Sequence, residues 1–451
     1  MTLRNVLAAS VICFGIFGYG QKIWTLQECV DYAAKSNLQV IQNSYNKKIQ
    51  ESNLTIAKKE YLPNVSGSIS NTATFGQSQD VFGVSQRNDN FNNSANVGAN
   101  ILLYNNGRLE KNIRKVQFDV EASQFDVETV QNNISLQIAQ HYLNILLNKE
   151  IVKISQSALQ NAQKLRDRAK ITTDVGTTAQ TVLAEADAAL SREKQNLKVA
   201  EVNRDRSRFA LAQLLMLTDY KEFDVADVPI LFDPQAPDLD VEQVLDKAYG
   251  NQPQIKAAES RIKSSEAQTE VVKTAFWPTI TANAGVGSFY FNSLATNTVG
   301  INPDGTPIKE HGFFQQYKDN FGQQVGISAN IPIFNKGITK LQVEQSKINQ
   351  DIAKNNLDQQ KLDVKQNVQK AAFDADANYQ TFLTSVEAEK STKLALDFAE
   401  KSYEAGRTSI YDLNIARNNY ANAQGSVAQA KFNYLFSQKL LDFYSGIPLT
   451  L

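Results

Sequence analysis

Histidine, cysteine, methionine and tryptophan each occur only twice in 451 residues. A metal site needs several nitrogen, sulfur or carboxylate ligands at close spacing. His141, in a helical stretch, and His311, in a polar loop, have no partner at such a spacing. No Gly-rich phosphate loop follows a strand and no nucleophile motif occurs, so no catalytic residue, metal or cofactor is expected. Carboxylates such as Glu185 and Asp187 sit in charge-patterned helices and read as solvated faces. Net charge is also lacking, with 46 Lys and Arg against 47 Asp and Glu. That balance leaves no electrostatic footprint for nucleic acid.

Long apolar runs are equally scarce. The single one, Val6 to Phe17, follows Arg4 and precedes the small residues of "GYGQ". This is the pattern of a secretory signal peptide covering 1–20, and nothing later offers the ~18 apolar residues of a spanning helix. Cys13 falls inside the leader, preceded by Ile12 where lipid attachment wants a small residue. The mature chain then holds one thiol, Cys29, and no internal disulfide. Its stability must come from packing or oligomerisation.

What the sequence does have is a long internal repeat. "IQESNLTIAKKEYLPNVSGSIS" from Ile49 is echoed by "SSEAQTEVVKTAFWPTITANAG" from Ser264, aligning Pro63 with Pro278. "NILLYNNGRLE" is echoed by "NIPIFNKGITK", aligning Gly107 with Gly337, and Gly176 aligns with Gly406 at the same offset. The interval from Gly107 to Gly176 equals that from Gly337 to Gly406, as expected of a helix whose length matters. Between proline and glycine the second copy is longer, and a surface loop must absorb the excess. The reading is a tandem duplication: repeats at 21–216 and 239–451, joined by a Pro-containing linker or intermediate layer at 217–238.

Each repeat begins with a short helix (Leu26 to Ala34 in the first) and a second helix from about Val40 to Lys59, stopped by proline. The period then changes to two. Val65, Gly67, Ile69, Ala73 and Phe75 alternate with Ser66, Ser68, Ser70, Thr72 and Thr74. After a polar loop, Val97, Ala99, Ile101 and Leu103 alternate with Gly98, Asn100 and Leu102. The second copy supplies Ile280, Ala282, Ala284 and Val286, then Val325, Ile327, Ala329, Ile331 and Ile333. Four strands of about ten residues are each long enough to cross a bilayer when tilted. From Gly107 a coiled-coil seam of Leu109, Ile113, Val116, Val120, Val127, Val130 and Ile134 runs into a helix of roughly 65 residues, about 100 Å long. A return helix of about 38 residues follows Gly176. Glycine there permits a left-handed helix stop, and the short polar residues behind it cap the next helix.

Four strands cannot stand open in hydrocarbon, and closed barrels start at about eight strands. Several copies must therefore share one barrel, with the helices forming a second barrel by the same symmetry.

In the order and spacing of these parts the chain resembles the TolC-like outer-membrane efflux proteins. The residues that carry the likeness are "WTLQECVDYAAKSN", the strand entries "YLPNVS" and "FWPTIT", the helix entries "ILLYNNGR" and "PIFNKG", and the tip turns "GTTAQTVL" and "GRTSIYDL". The resemblance implies a mixed α and transmembrane β fold: a homotrimer with a twelve-stranded β-barrel, four strands per chain, continued by a long helical coiled-coil barrel through the periplasm. The linker and C-terminal end would form an equatorial layer. It implies a passive exit duct in contact with outer-membrane lipid, docking on a periplasmic adaptor (membrane fusion protein) and an inner-membrane pump of the RND or ABC type. Gly176, Thr177 and Thr178, with Gly406, Arg407 and Thr408, correspond to the adaptor-docking tips. Asp412 corresponds to a pore-lining aspartate and Arg407 to a partner in the closed constriction, although the family's second acid is Ile415 here. Capping and dipole roles are the ordinary reading of these two charges. Tyr104 and Phe334, at the strand-to-helix junctions, read either as membrane-interface anchors or as packing at the barrel base. A protein-secretion (type I) outlet and a non-channel periplasmic coiled-coil adaptor are the competing readings.

Overall fold

The computed structural model describes residues 23–79, 83, 85–227, 236, 240–294, 298–301, 303–309 and 311–449. The signal segment and residues 228–235 and 237–238 of the linker lie outside the described residues. In chain order the elements are β1 (Ile23–Trp24), α1 (Leu26–Ser36), α2 (Leu38–Lys59), β2 (Asn64–Thr74), β3 (Gln77–Gln79), β4 (Ser85–Arg87), β5 (Asn90–Tyr104), α3 (Arg108–Asp174), α4 (Gln180–Leu214), β6 (Asp224–Val225), α5 (Val241–Asn251), α6 (Pro253–Lys273), β7 (Thr279–Ser293), β8 (Thr298–Ile301), β9 (Pro307–Lys309), α7 (Phe313–Asp319), β10 (Gly322–Asn330), α8 (Ile338–Glu404) and α9 (Ile410–Tyr444). The two copies match in detail: α3 and α8 both have 67 residues, α4 and α9 both have 35, and α1 and α5 both have 11.

The same local devices start and stop these helices twice. Thr25 caps α1 through a capping box, its hydroxyl accepting from the Glu28 N–H while Glu28 accepts from the Thr25 N–H at 2.9 Å. Asp240 caps α5 by accepting from the Gln243 N–H. Into α3 and α8 the chain turns through consecutive left-handed residues, Asn106–Gly107 and Lys336–Gly337.

The residues group into two compact units, Met1–Ser44 with Asp126–Ile255 and Gln360–Leu451, and Tyr45–Phe125 with Lys256–Gln359. The core of the first joins Trp24, Cys29 and Ala33 to Ile138, Tyr142, Ile145 and Leu146 of α3, Leu211 and Leu215, Phe223, Val225 and Leu435. Each fully buried large side chain contributes about 1.5–3 kcal/mol. Here the linker is drawn in. Ile23–Trp24 pairs in parallel with Asp224–Val225, the Tyr142 hydroxyl donates to the carbonyls of Trp24 and Ala226, and the Lys149 ammonium donates to the Val225 carbonyl at 2.7 Å and pairs with Asp224 and Asp227. Burial pushes the Tyr142 phenol well above its ordinary value, so it stays a donor.

The second unit holds an antiparallel sheet in the order β10-β7-β5-β2. Cross-strand register sorts its residues onto two faces. One carries the ranks Val65–Ala99–Ala284–Val325 and Gly67–Val97–Val286–Gln323, with Ile101–Ala282–Ile327 beside them. The other carries Ser66–Gly98–Gly285–Gln324, Ser68–Asn96–Gly287–Gly322 and Asn64–Asn100–Asn283–Gly326. The apolar face is open: Ile69 is 76 % and Val325 87 % exposed. β2 and β10 are the edges of this sheet.

The expected strands are all present, with one correction. The alternation through Ile331 and Ile333 is not strand, because β10 stops at Asn330. Its partner ends there, Asn330 pairing with Thr279, the first residue of β7, and Pro332 has no N–H to continue a ladder. In contrast β5 and β7 reach 15 residues each.

Candidate functional site

Among the described residues no helix is long and apolar enough to cross a membrane, and no group of three His, Cys, Asp or Glu side chains could hold a metal. His141 is half-buried in α3, and burial lowers its pKa. His311 pairs with Asp319 at 3.0 Å. The features that set this fold apart are the helix tips of the first unit and the exposed sheet face of the second.

Both tips are closed by the same backbone device. At the first, Gly176 takes φ 77°, its N–H bonding to the Thr173 carbonyl and the Thr177 N–H to the Thr172 carbonyl, both at 2.9 Å. At the second, Gly406 takes φ 68°, with Gly406 N–H on Tyr403 and Arg407 N–H on Ser402. These are Schellman closures, which satisfy the last carbonyls of a helix and need a residue without a Cβ penalty.

Side chains then make the tips different. The first is a threonine cluster: the Thr177 hydroxyl donates to the Thr172 carbonyl at 2.8 Å, and Thr178 bonds the hydroxyls of both Thr172 and Thr173. Ala179, at the N-cap of α4, makes no side-chain cap, while exposed Ile171 and Val175 flank the turn. At the second tip Ser409 caps α9 in a capping box with Asp412. The Asp412 carboxylate accepts from the Ser409 hydroxyl at 2.7 Å and from Thr408 at 3.2 Å. The Ser409 hydroxyl bond, then the Ser409 N–H and then Thr408 hold this carboxyl below the ordinary aspartate range. Within one chain, then, Asp412 serves as a cap and turns toward Ser409 and Thr408. Arg407 lies exposed beside it.

The two tips meet in one apolar cluster, Leu165, Ala169 and Ala186 from the first hairpin with Ile410 and Leu413 from the second. Polar ties reinforce it. Arg166 reaches Asp187 at 2.8 Å across the first hairpin, and the carboxylates of Asp187 and Asp167 raise its pKa further. Arg417 on α9 pairs with Glu400 on α8 at 2.8 Å and donates to the Asn161 carbonyl of α3 at 3.5 Å. Sequence reasoning missed both arginines and took Asp187 as merely solvated. Arg166 and Asp187 stand about equally far from Gly176, so the register of an antiparallel hairpin would have paired them. Nothing local marks the Arg417 link, which joins different repeats.

The model of the family described as outer membrane efflux protein matches residues 31–215 and 244–446. The chain belongs to the outer membrane efflux protein family. Among curated members it is similar to the outer membrane efflux protein BepC of Brucella suis biovar 1, 22 % identical over 444 residues, 97 % of this chain and 89 % of that one. It is also similar to the outer membrane protein TolC of Escherichia coli K12, 26 % identical over 325 residues, 69 % of this chain and 60 % of that one. The fold of this family member is that of the Campylobacter jejuni CmeC outer membrane channel (TM-score 0.73, 19 % identity, 93 % of this chain and 85 % of that one). It is shared by the open state of the Neisseria gonorrhoeae MtrE outer membrane channel (TM-score 0.68, 19 % identity, 93 % and 88 %). Long helical hairpins with a β domain are thus the fold of the chain, and the outer membrane is where it works.

Proposed function

We propose that the protein is the exit duct of a tripartite efflux system, passively conducting small molecules from an inner-membrane pump and a periplasmic adaptor to the outside, with no catalytic step of its own. The observation that carries this reading is the four-stranded sheet with one apolar, exposed face and two edge strands. Hydrocarbon does not tolerate unpaired edge groups, so β10 of one chain is expected to pair with β2 of the next. Three chains close twelve strands, with the serine, asparagine and glutamine ranks lining the lumen. The repeats 21–216 and 239–451 are read as a tandem duplication, and 217–238 as equatorial structure, which the pairing of Asp224–Val225 with Ile23–Trp24 supports.

The tips are proposed to dock the adaptor through Gly176, Thr177 and Thr178 and through Gly406, Arg407 and Thr408. Asp412 is proposed to face the threefold axis at the constriction, with Arg407 beside it. Three converging carboxylates would favour cations and raise one another's pKa, against the lowering each receives from Ser409. Deleting the chain from a strain without other outlets should raise accumulation of an exported dye, and restoring it should lower accumulation. No change in either direction would contradict the reading.

A further inference from the structure

The loop between β7 and β10 carries a helix that neither the tips nor the strand ladder explains. β10 pairs with β7 only as far as Gly322 opposite Gly287, while β7 continues to Ser293. Along that edge α7 takes the place of a strand. The Gln316 amide accepts from the Phe291 N–H and donates to the Phe291 carbonyl, both at 2.9 Å, and Asn320 donates to the Phe289 carbonyl at 2.8 Å. Two further bonds fix which side of the sheet α7 lies on. Ser288 donates to the Tyr317 carbonyl at 2.7 Å, and the Tyr317 hydroxyl bonds Asn93. Ser288 and Asn93 belong to the ranks Ile69–Ala95–Ser288 and Asn71–Asn93–Tyr290, which continue the apolar face upward.

On that side α7 builds a connected aromatic patch. The Phe313 ring lies 5.0 Å from Tyr290, 4.8 Å from Tyr317 and 5.5 Å from Phe314, and Tyr290 lies 6.3 Å from Phe91. Phe314 is 86 % and Phe321 55 % exposed, while Tyr317 is half-buried against the sheet. The height of the patch fits a membrane. Ile280, opposite Tyr104, marks the base of the apolar face, and Tyr290 lies about ten residues above it, ~33 Å along a strand at ~3.3 Å per residue. At a tilt of ~45° this becomes about 23 Å, close to the ~25 Å apolar band of outer-membrane barrels, which aromatic girdles flank.

We infer that α7 is an interfacial helix on the lipid side of the rim, seating Phe314, with Phe321 just beyond its C-terminal end, in the boundary between headgroups and acyl chains of the outer leaflet. The inference rests on the barrel reading above. Lipid is the occupant because the patch is continuous with the face that meets the bilayer. α7 also carries Gln315, Lys318 and Asp319, the polar complement an in-plane helix needs.

The test is nitroxide labelling of single cysteines in the full chain reconstituted into phospholipid vesicles. Phe314→Cys is measured beside Val325→Cys on the apolar face and Ser68→Cys on the polar face. Cys29 is fully buried and stays unlabelled. Collisions with oxygen should exceed those with a water-soluble nickel chelate at 325 and at 314, with 314 at ~5–10 Å depth, and the order should reverse at 68. Lipid contact at 325 with an aqueous label at 314 would overturn the α7 inference alone, whether water or another protein covers the helix. An aqueous label at 325 would overturn the barrel reading and this inference with it.

Discussion

Val325→Arg separates a membrane barrel from any soluble use of the same sheet. Val325 stands on the rank Val65–Ala99–Ala284 and is 87 % exposed in the single chain. Ala284 is four residues above Ile280 and six below Tyr290, which at ~3.3 Å per residue and ~45° tilt puts Val325 about 9 Å above the base of the band and about 14 Å below its upper rim. An arginine that deep costs ~2–4 kcal/mol per chain, roughly 30- to 900-fold in the folding equilibrium. Three well-separated copies sum to about 6–12 kcal/mol per trimer. The neighbouring Gln324 belongs to the polar rank Ser66–Gly98–Gly285, so Gln324→Arg should stay within ~0.5 kcal/mol. The assay is urea titration of protein refolded into lipid vesicles, read with the yield of trimer in the outer membrane. If the sheet met only water, an arginine at either exposed position would be nearly neutral. Equal behaviour of the two variants would therefore refute the reasoning.

Other expectations follow from the same geometry. A Cβ at Gly176 or Gly406 meets no atom within 4 Å, so the penalty of Gly176→Val or Gly406→Val is conformational, at least ~1–2 kcal/mol for a left-handed residue. Trimer yield should survive while cross-linking to the adaptor is lost, and normal cross-linking would argue against docking turns. Asp412→Asn should reduce cation preference and divalent-cation block in single-channel recordings; unchanged selectivity would remove Asp412 from the constriction. Because its pKa is lowered in the folded chain, the Asp412 cap contributes fully above the ordinary aspartate value of 3.8 and is lost as pH falls through the lower folded value. Selectivity titrating above 3.8 would reveal carboxylates facing one another, and titration below it would leave each acting only as a cap. Tyr142→Phe removes the hydroxyl that joins α3 to Trp24 and Ala226 and should lower stability by about 1 kcal/mol in denaturant titration. An unchanged midpoint would mean those carbonyls need no such donor.

How much of this was legible in the residues depended on whether the signal was local. The period-two runs and the equal glycine intervals lie within short windows, and both tip turns took the conformation their glycines suggest. Strand lengths were less legible. "NFNNSAN" at the start of β5 reads as loop because asparagine is poor in strands, yet pairing with β2 on one side and β7 on the other holds it in the sheet. Ile331 and Ile333 erred the other way, their alternation outlasting the partner strand. The seven residues of α7 are too few for a helical period to emerge. The contacts of Trp24 with Val225 and of Arg417 with Asn161 join distant segments that no local pattern connects.

The most direct test of the central claim is the native mass of the protein extracted from outer membranes in mild detergent, corrected for bound detergent. The account predicts three times the mass of the mature chain, the mass of the proposed barrel in which three chains share twelve strands. A monomer or dimer, or recovery in the soluble fraction, would contradict it.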